Sequence, residues 1–435
     1  MKNRHSVMSL LVVVSLAVLL AILPTGASVE GLGLRGPGAV HTGGPTGHPF
    51  PISFYPDGES SQPAVSYSPD REEYLATWVK DQPYNDEIVA QRLTLSGMQA
   101  GEPFPVAAGP AGYRWSPDVT YNVHRGEYLV VFGLQTSTTT ELHAQPVKAE
   151  GGTTGADTTV AVGSIFLCEP AVAYSPVSDQ YLVVWVDFGT TTHDILARVL
   201  NSDGTGGPGA SLIRQVQSPA DAGCVDVAFN RSRNEFLVVW SEWTSTNDAD
   251  IYGRRVQGNG TPMQPERITI TSLAGVQSWP AVAGMPTEPN KGQYLVVWQD
   301  SVLATANADI WAQRVGGEGN KEGGYIRITD DADPERHVDV AASEQDHQYL
   351  VVTSRYLESS PDKVWVIQGQ KVSLDGEPLG REAWIGGYII GRLGLANGPG
   401  SDFLLAYEDE TPITYKAIYG HLWGNFRVYL PLVLR

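Results

Sequence analysis

The chain has 435 residues, 42% of them hydrophobic, and a formal net charge of −19 from 48 acidic and 29 basic residues. A surface this acidic repels phosphate backbones and anionic headgroups, and no Lys/Arg-rich run compensates locally, so nucleic acid is not an expected partner. Cations and neutral polymers stay open, and the acidity also serves plain solubility.

In chain order, Lys2 and Arg4 precede an uncharged Leu/Val-rich run from Met8 to Leu23, and Thr25-Gly26-Ala27 supplies the small residues of a cleavage site. The run falls short of the roughly 20 residues of a membrane span. Residues 1–27 therefore read as a signal peptide cut before Ser28, with a retained N-terminal anchor as the alternative. No Cys follows the run, which argues against a lipoprotein. The expected product is secreted or held at the cell surface, with no membrane span after cleavage. Loss of Lys2 and Arg4 takes the charge from −19 to −21. Residues 28–48 are rich in Gly, Pro and Thr and cannot bury enough surface to offset their ordering entropy, so they read as a flexible leader.

The rest of the chain is organised by a repeat. Gln180-Tyr181-Leu182-Val183-Val184-Trp185-Val186-Asp187 recurs with small changes, its copies led by Tyr74, Tyr128, Phe236, Tyr294, Tyr349 and Phe403. The leading aromatics are spaced by 54, 53, 55, 58, 55 and 54 residues, a period that marks a repeat architecture. Each run is apolar at consecutive positions, so both of its faces must be buried. A short alternating segment precedes it, such as Pro170-Ala171-Val172-Ala173-Tyr174, Pro117-Asp118-Val119 or Val338-Asp339-Val340. A third strand follows, as in Asp250-Ile251-Tyr252-Gly253-Arg254-Arg255-Val256, then a weaker fourth, as in Glu266-Arg267-Ile268-Thr269-Ile270-Thr271. No repeat holds a convincing helical period.

Four antiparallel strands, buried on both faces and repeated seven times, suit small sheets stacked around an axis. The fold class expected is all-β, a seven-bladed β-propeller over residues 49–424, with the segment around Pro49 to Tyr55 acting as an N-terminal strand that closes the last blade. Residues 425–435 form a C-terminal apolar tail, a sorting or docking segment. A monomer is expected.

The repeats resemble an exported bacterial propeller repeat of the form Tyr-Leu-Val-Val-Trp-x-Asp … Asp-Ile-Tyr-x-Gln-Arg-Val. The likeness covers about residues 63–423 and is weakest at Thr353 and at Thr414-Tyr415-Lys416. Proteins of this kind are mostly uncharacterised, so the resemblance implies fold and export more than chemistry. The tail resembles short Tyr-Leu-Pro-Leu-Val-Leu-Arg endings of exported bacterial proteins, which implies sorting or surface retention.

Two acidic positions recur around one loop of each repeat, including Asp187, Asp194, Asp250, Asp300 and Asp309. Calcium is the cation such oxygens would hold. The competing and favoured reading is structural, with the acids capping the loop or pairing with the recurrent Arg92, Arg198, Arg255 and Arg314. Three convergent arginines would suggest a sialidase, but these lie on third strands far from the axis and no Asp-box accompanies them. Cys168 and Cys224, the two cysteines, precede equivalent strands of adjacent repeats and point to a disulfide, provided those strands approach within about 7 Å.

Loop aromatics Tyr84, Tyr113, Phe188 and Trp243 gather toward one face and suit stacking on sugars or gripping a protein. Trp115 and Trp279 read instead as plugs between blades. No Gly-x-Ser-x-Gly, His-Glu-x-x-His or Cys/His cluster occurs. The expectation is an exported, non-catalytic propeller binding a protein or polysaccharide at the cell surface. The alternatives are a propeller glycoside hydrolase, marked by a unique cluster of carboxylates at the channel mouth, and a structural surface component.

Overall fold

The computed structural model describes residues 49–53, 59–83, 85–109, 112–163, 167–189, 192–217, 221–245, 247–285, 292–301, 308–357, 364–387, 389–409 and 416–424. The expected signal peptide, leader and tail lie outside these, as does Tyr84. The described residues form β-strands joined by turns, with no helix among them.

The strands follow one another as antiparallel meanders in a propeller-like arrangement of sheets. Seven innermost strands, Glu59–Ser68, Tyr113–Asn122, Leu167–Ser175, Asp221–Asn230, Val276–Met285, Glu335–Ser343 and Ile389–Asn397, open the first to seventh meanders. Each packs against the innermost strand of the next, and the seventh against the first. The second strands carry the repeated aromatic-led run. Because side chains alternate across a strand, that run splits its residues between two interfaces. Leu182, Val184 and Val186 pack with Phe236, Val238 and Trp240 of the fourth meander, while Tyr181, Val183 and Trp185 pack with Leu129 and Val131 of the second. Trp78, Trp185, Trp240 and Trp298 are fully buried this way, and truncating one such side chain typically costs about 3–5 kcal/mol.

The two chain ends meet in one sheet. Phe50–Pro51 pairs with the strand Ala417–Trp423, Phe50 opposite Gly420 and Pro51 opposite Tyr419. Ile52 is buried beside Trp78, Leu404 and Ile418, so one core joins the first and last meanders. The strand is shorter than the expected Pro49–Tyr55 segment.

The sheet count departs from seven separate four-stranded sheets. Hydrogen bonding gives five four-stranded sheets and one of eight strands, formed by the fourth and fifth meanders. A single parallel bridge, Ala249 to Val276, joins them. It forms where the connection through Gly275 turns so tightly that Ala249 N–H donates to the Gly275 carbonyl.

Candidate functional site at the axial mouth

One position on the innermost strands alternates around the axis: Ala64, Asp118, Ala171, Asp226, Ala281, Asp339, Gly394. Each aspartate binds two backbone amides, its own neighbour's and one from the next meander. Asp118 accepts from Val119 and Val172, both at 2.8 Å. Asp226 accepts from Val227 and Val282, both at 2.7 Å. Asp339 accepts from Val340 at 2.7 Å and Leu395 at 2.8 Å. Three carboxylates thus stitch six strands in pairs. Gly394 stands at the seam between the seventh strand and the first, where a Cβ would lie 3.0 Å from the Ala64 Cα and 3.1 Å from the Pro63 carbonyl.

Two residues upstream the pattern reverses. Every innermost strand breaks register there against its second strand, between Ser61 and Ala64, Trp115 and Asp118, Cys168 and Ala171, Ala222 and Val225, Ser278 and Ala281, Arg336 and Asp339, and Ile389 and Leu393. A bulge re-aims the side chain it carries. The residues presented are Gln62, Ser116, Glu169, Cys224, Trp279, His337 and Arg392, seven different side chains. Gln62, Ser116, Trp279 and His337 hold left-handed φ angles of 54°, 46°, 55° and 52°, a conformation that costs about 1–3 kcal/mol in non-glycine residues and clusters at functional sites.

The ring is closed on one side and open on the other. The Gln62 side-chain oxygen accepts from Ser116 N–H at 2.6 Å, Gln62 N–H donates to Glu408 at 2.6 Å, and Ser116 is buried. Trp279 is 42% exposed and meets His337 edge-on, centroids 6.4 Å apart. Arg392 reaches across the axis to Glu169, 3.8 Å away. With the three aspartates they line a cavity of about 240 Å³.

Desolvation in that lumen, reinforced by Asp339 and Asp118, pushes the Asp226 carboxyl up to about 8. Burial pushes Asp339 up to about 7 against the pull of its amides and Arg392, and it raises Asp118 too. Burial, then Arg336 and Arg392, press His337 toward its neutral form. Burial works against the Arg392 charge, but Glu169, Asp118, Cys224 and Asp339 outweigh it.

The residues singled out in the sequence lie elsewhere on the strands. Tyr113, Phe188 and Trp243 sit at the same ends of their strands as the ring, yet none lines the cavity. Tyr113 is exposed. Phe188 packs on the core between the third and fourth meanders and against His193 at 5.0 Å, and Trp243 is half-buried over Gly223.

The recurrent acids do come together in twos, Asp187 opposite Asp194, Asp300 opposite Asp309, and Asp250 opposite Glu242. Several have their own partners: Asp309 pairs with Arg327 at 2.6 Å and Asp250 accepts from the Tyr252 hydroxyl at 2.8 Å. Two carboxylates would supply part of the six to eight oxygens of calcium, with carbonyls and water for the rest; no group of three or more potential metal-binding side chains occurs among the described residues. Of the arginines offered as their partners, Arg198 binds the Thr159 and Val160 carbonyls of the second meander, and Arg92 and Arg255 pair at the other end of the sheet. Arg92 binds Glu73 at 2.7 Å and the Glu150 carbonyl of the next meander, and Arg255 binds Glu235 at 2.7 Å and the Glu318 carbonyl. Cys224 lines the cavity, while the Cys168 side chain lies outside the described residues, and with it the expected disulfide.

Trp115 and Trp279 part company. Trp115 lies on Gly133 of its own meander, directly opposite it, where a Cβ would meet its ring at 2.2 Å. Trp279 stands one place nearer its Ala281 than Trp115 does to Asp118, and at a bulge one residue changes the direction of the side chain; its ring meets His337 of the next meander and stays partly exposed.

No family model matches the chain, and no curated protein matches it. Among solved structures it is similar to a protein of unknown function from Dyadobacter fermentans DSM 18053, with a TM-score of 0.51, 9% identity, and coverage of 87% of this chain and 98% of that one. It is also similar to a polysaccharide lyase PL25 ulvan lyase bound to -[GlcA(1-4)Rha3S]- (TM-score 0.50, 11% identity, 88% and 94% covered) and to the polysaccharide lyase Uly1 (TM-score 0.50, 8% identity, 88% and 99% covered). Likeness at such identities is a likeness of fold.

Proposed function

We propose that this chain is an exported, monomeric, non-catalytic seven-bladed β-propeller that binds a polysaccharide at the cell surface through its axial mouth. The blade count treats the eight-stranded sheet as two blades, because the bridge between Ala249 and Val276 is one residue long and the seven innermost strands follow one another around the axis. One observation carries the reading. Where the position two residues on keeps to small residues and aspartates, the bulge position holds a different residue in every meander, and Trp279 there stands exposed beside polar groups. Sugar sites combine an aromatic platform with a few convergent polar groups in this way. Two of the similar structures are named polysaccharide lyases, which fits a glycan ligand.

Against catalysis, the three lumen aspartates occupy equivalent positions and spend both oxygens on backbone amides, so they serve the scaffold. A second reading, cleavage of the glycan, draws on His337 and the Glu169–Arg392 pair, which bring a base, an acid and a cation to one mouth. A glycan array probed with residues 28–435, with and without calcium, and read for both retention and product release decides between them. Retention without release supports the binding propeller, and its loss with chelator would bring the paired carboxylates back as a calcium site. Release of product overturns the non-catalytic reading. Silence on every glycan moves the weight to a protein partner or a structural role.

A further inference from the structure

Building on the glycan-binding reading, we propose that the axial mouth takes one uncharged terminal sugar ring, stacked on Trp279 and held through a vicinal diol by Glu169 and Arg392, and that it rejects uronates. Size comes first. A cavity of about 240 Å³ lies below the roughly 300–1,000 Å³ of pockets that enclose drug-sized ligands. It admits a single ring from a chain end rather than a length of chain. The mouth is also a pocket on an axis and not a groove across a face, since all seven innermost strands contribute to its wall.

Hydrogen-bonding geometry comes second. Glu169 and Arg392 stand 3.8 Å apart across the axis, beyond the 2.7–3.2 Å of a direct N–H···O bond. One carboxylate that only accepts and one guanidinium that only donates are left facing each other with a gap. Two adjacent hydroxyls of a ring laid alongside the pair match it: one donates to Glu169 and its neighbour accepts from Arg392. Trp279 supplies the apolar face of the same subsite, its indole braced by the His337 edge contact.

Charge excludes the acidic alternative. The one guanidinium of the ring is already paired with the carboxylate of Glu169, 3.8 Å away, so a uronate would have to share it with that charge. His337, held toward neutrality by burial and by two arginines, supplies no second cation. A uronate would bring one more carboxylate to a site with no cation to spare, and like-charge contacts of that kind are a strong basis for rejection.

Titration calorimetry of the full chain tests this, with hexaoses of β-1,4-glucose, β-1,3-glucose and α-1,6-mannose and with hexagalacturonate. Each neutral hexaose is also supplied with its non-reducing end capped as a 4,6-acetal and, separately, reduced to the alditol. The expected result is binding of at least one neutral hexaose, a loss of about tenfold or more when one end is modified, and weaker binding of hexagalacturonate. Trp279→Ala lowers that affinity by about tenfold or more and Trp279→Phe by less than about threefold, and Glu169→Gln narrows the gap between the neutral and the acidic probe. Melting curves that overlay the wild type establish that the variants fold. Should Trp279→Ala melt early, Trp279→Phe and Glu169→Gln carry the decision. A neutral hexaose whose binding ignores both end modifications, ignores these variants, or is outdone by hexagalacturonate overturns the proposal and leaves glycan binding standing. If no hexaose of either kind binds the wild type, the glycan reading itself fails.

Discussion

Two positions lie two residues apart on the same seven strands and behave in opposite ways. At the inner one, residues follow a rule: a small side chain, then an aspartate, three times over, then Gly394. At the outer one, the bulge, no residue type occurs twice. The inner position solves one problem at three seams, the pairing of inward-facing amides, so its aspartate recurs. The bulge solves no common problem. It adds backbone strain at Gln62, Ser116, Trp279 and His337. That strain is offset at Gln62 and Ser116 by hydrogen bonds across the seams and left at Trp279 and His337 on the open side, and such strain clusters at binding sites. Titratability alone would have pointed to the wrong place, because the most strongly shifted carboxyls of the lumen belong to the stitches.

The contrast can be broken most forcefully at its exception. Gly394→Asp would set a second aspartate beside Asp339 and drive a side chain into Ala64 and Pro63 at the closing seam, at a cost of about 3 kcal/mol or more. Urea unfolding should show the midpoint falling with the slope unchanged. Next, Asp226→Ala strips the acceptor from the amides of Val227 and Val282 and is expected to cost about 2–4 kcal/mol in the same measurement, softened if lumen water takes over.

Proton linkage sharpens the contrast more gently. Aspartates that titrate near 3.8 in the unfolded chain hold their protons to about 8 at Asp226 and about 7 at Asp339 in the fold. The folded state therefore binds more protons across that window. The stabilisation is complete below about pH 4 and is lost as pH rises through about 7 to 8. Melting temperature should fall by a few degrees from pH 6 to pH 9, and Asp226→Asn should flatten the slope. A melting temperature that climbs over that range contradicts the assignment. The smallest effect is expected at the bulge. Trp279→Gly removes an exposed side chain and relieves a left-handed backbone angle that glycine adopts freely, so stability should stay within about 0.5 kcal/mol of the wild type.

The repeat, the burial of both faces of each second strand and the strand at Phe50–Pro51 were all legible in the sequence, because period and alternation are one-dimensional signals. The aspartate ring was legible and unread. Asp118, Asp226 and Asp339 stand in the short strands between flanking apolar residues, where only their alternation with Ala64, Ala171 and Ala281 distinguishes them. The bulge ring was not legible, since a register break is a relation between two strands. Trp115 and Trp279 look equivalent in a list and differ by one place in space. The joining of two meanders at Ala249 and Val276 escaped for the same reason: it depends on how tightly one connection turns.

The alternating stitches also set a parity rule. Each carboxylate serves its own strand and the one after it, so the scheme works in twos, and an odd circle leaves one strand over. Here that remainder is the strand of Val65, bounded by Ala64 and by the glycine of the closing seam. Deleting the repeat of Gly394, or adding an aspartate-bearing repeat after it, would restore strict alternation, whereas one repeat inserted elsewhere sets two aspartates or two small residues side by side. Even circles of six or eight are therefore the sizes this sequence pattern satisfies without a remainder.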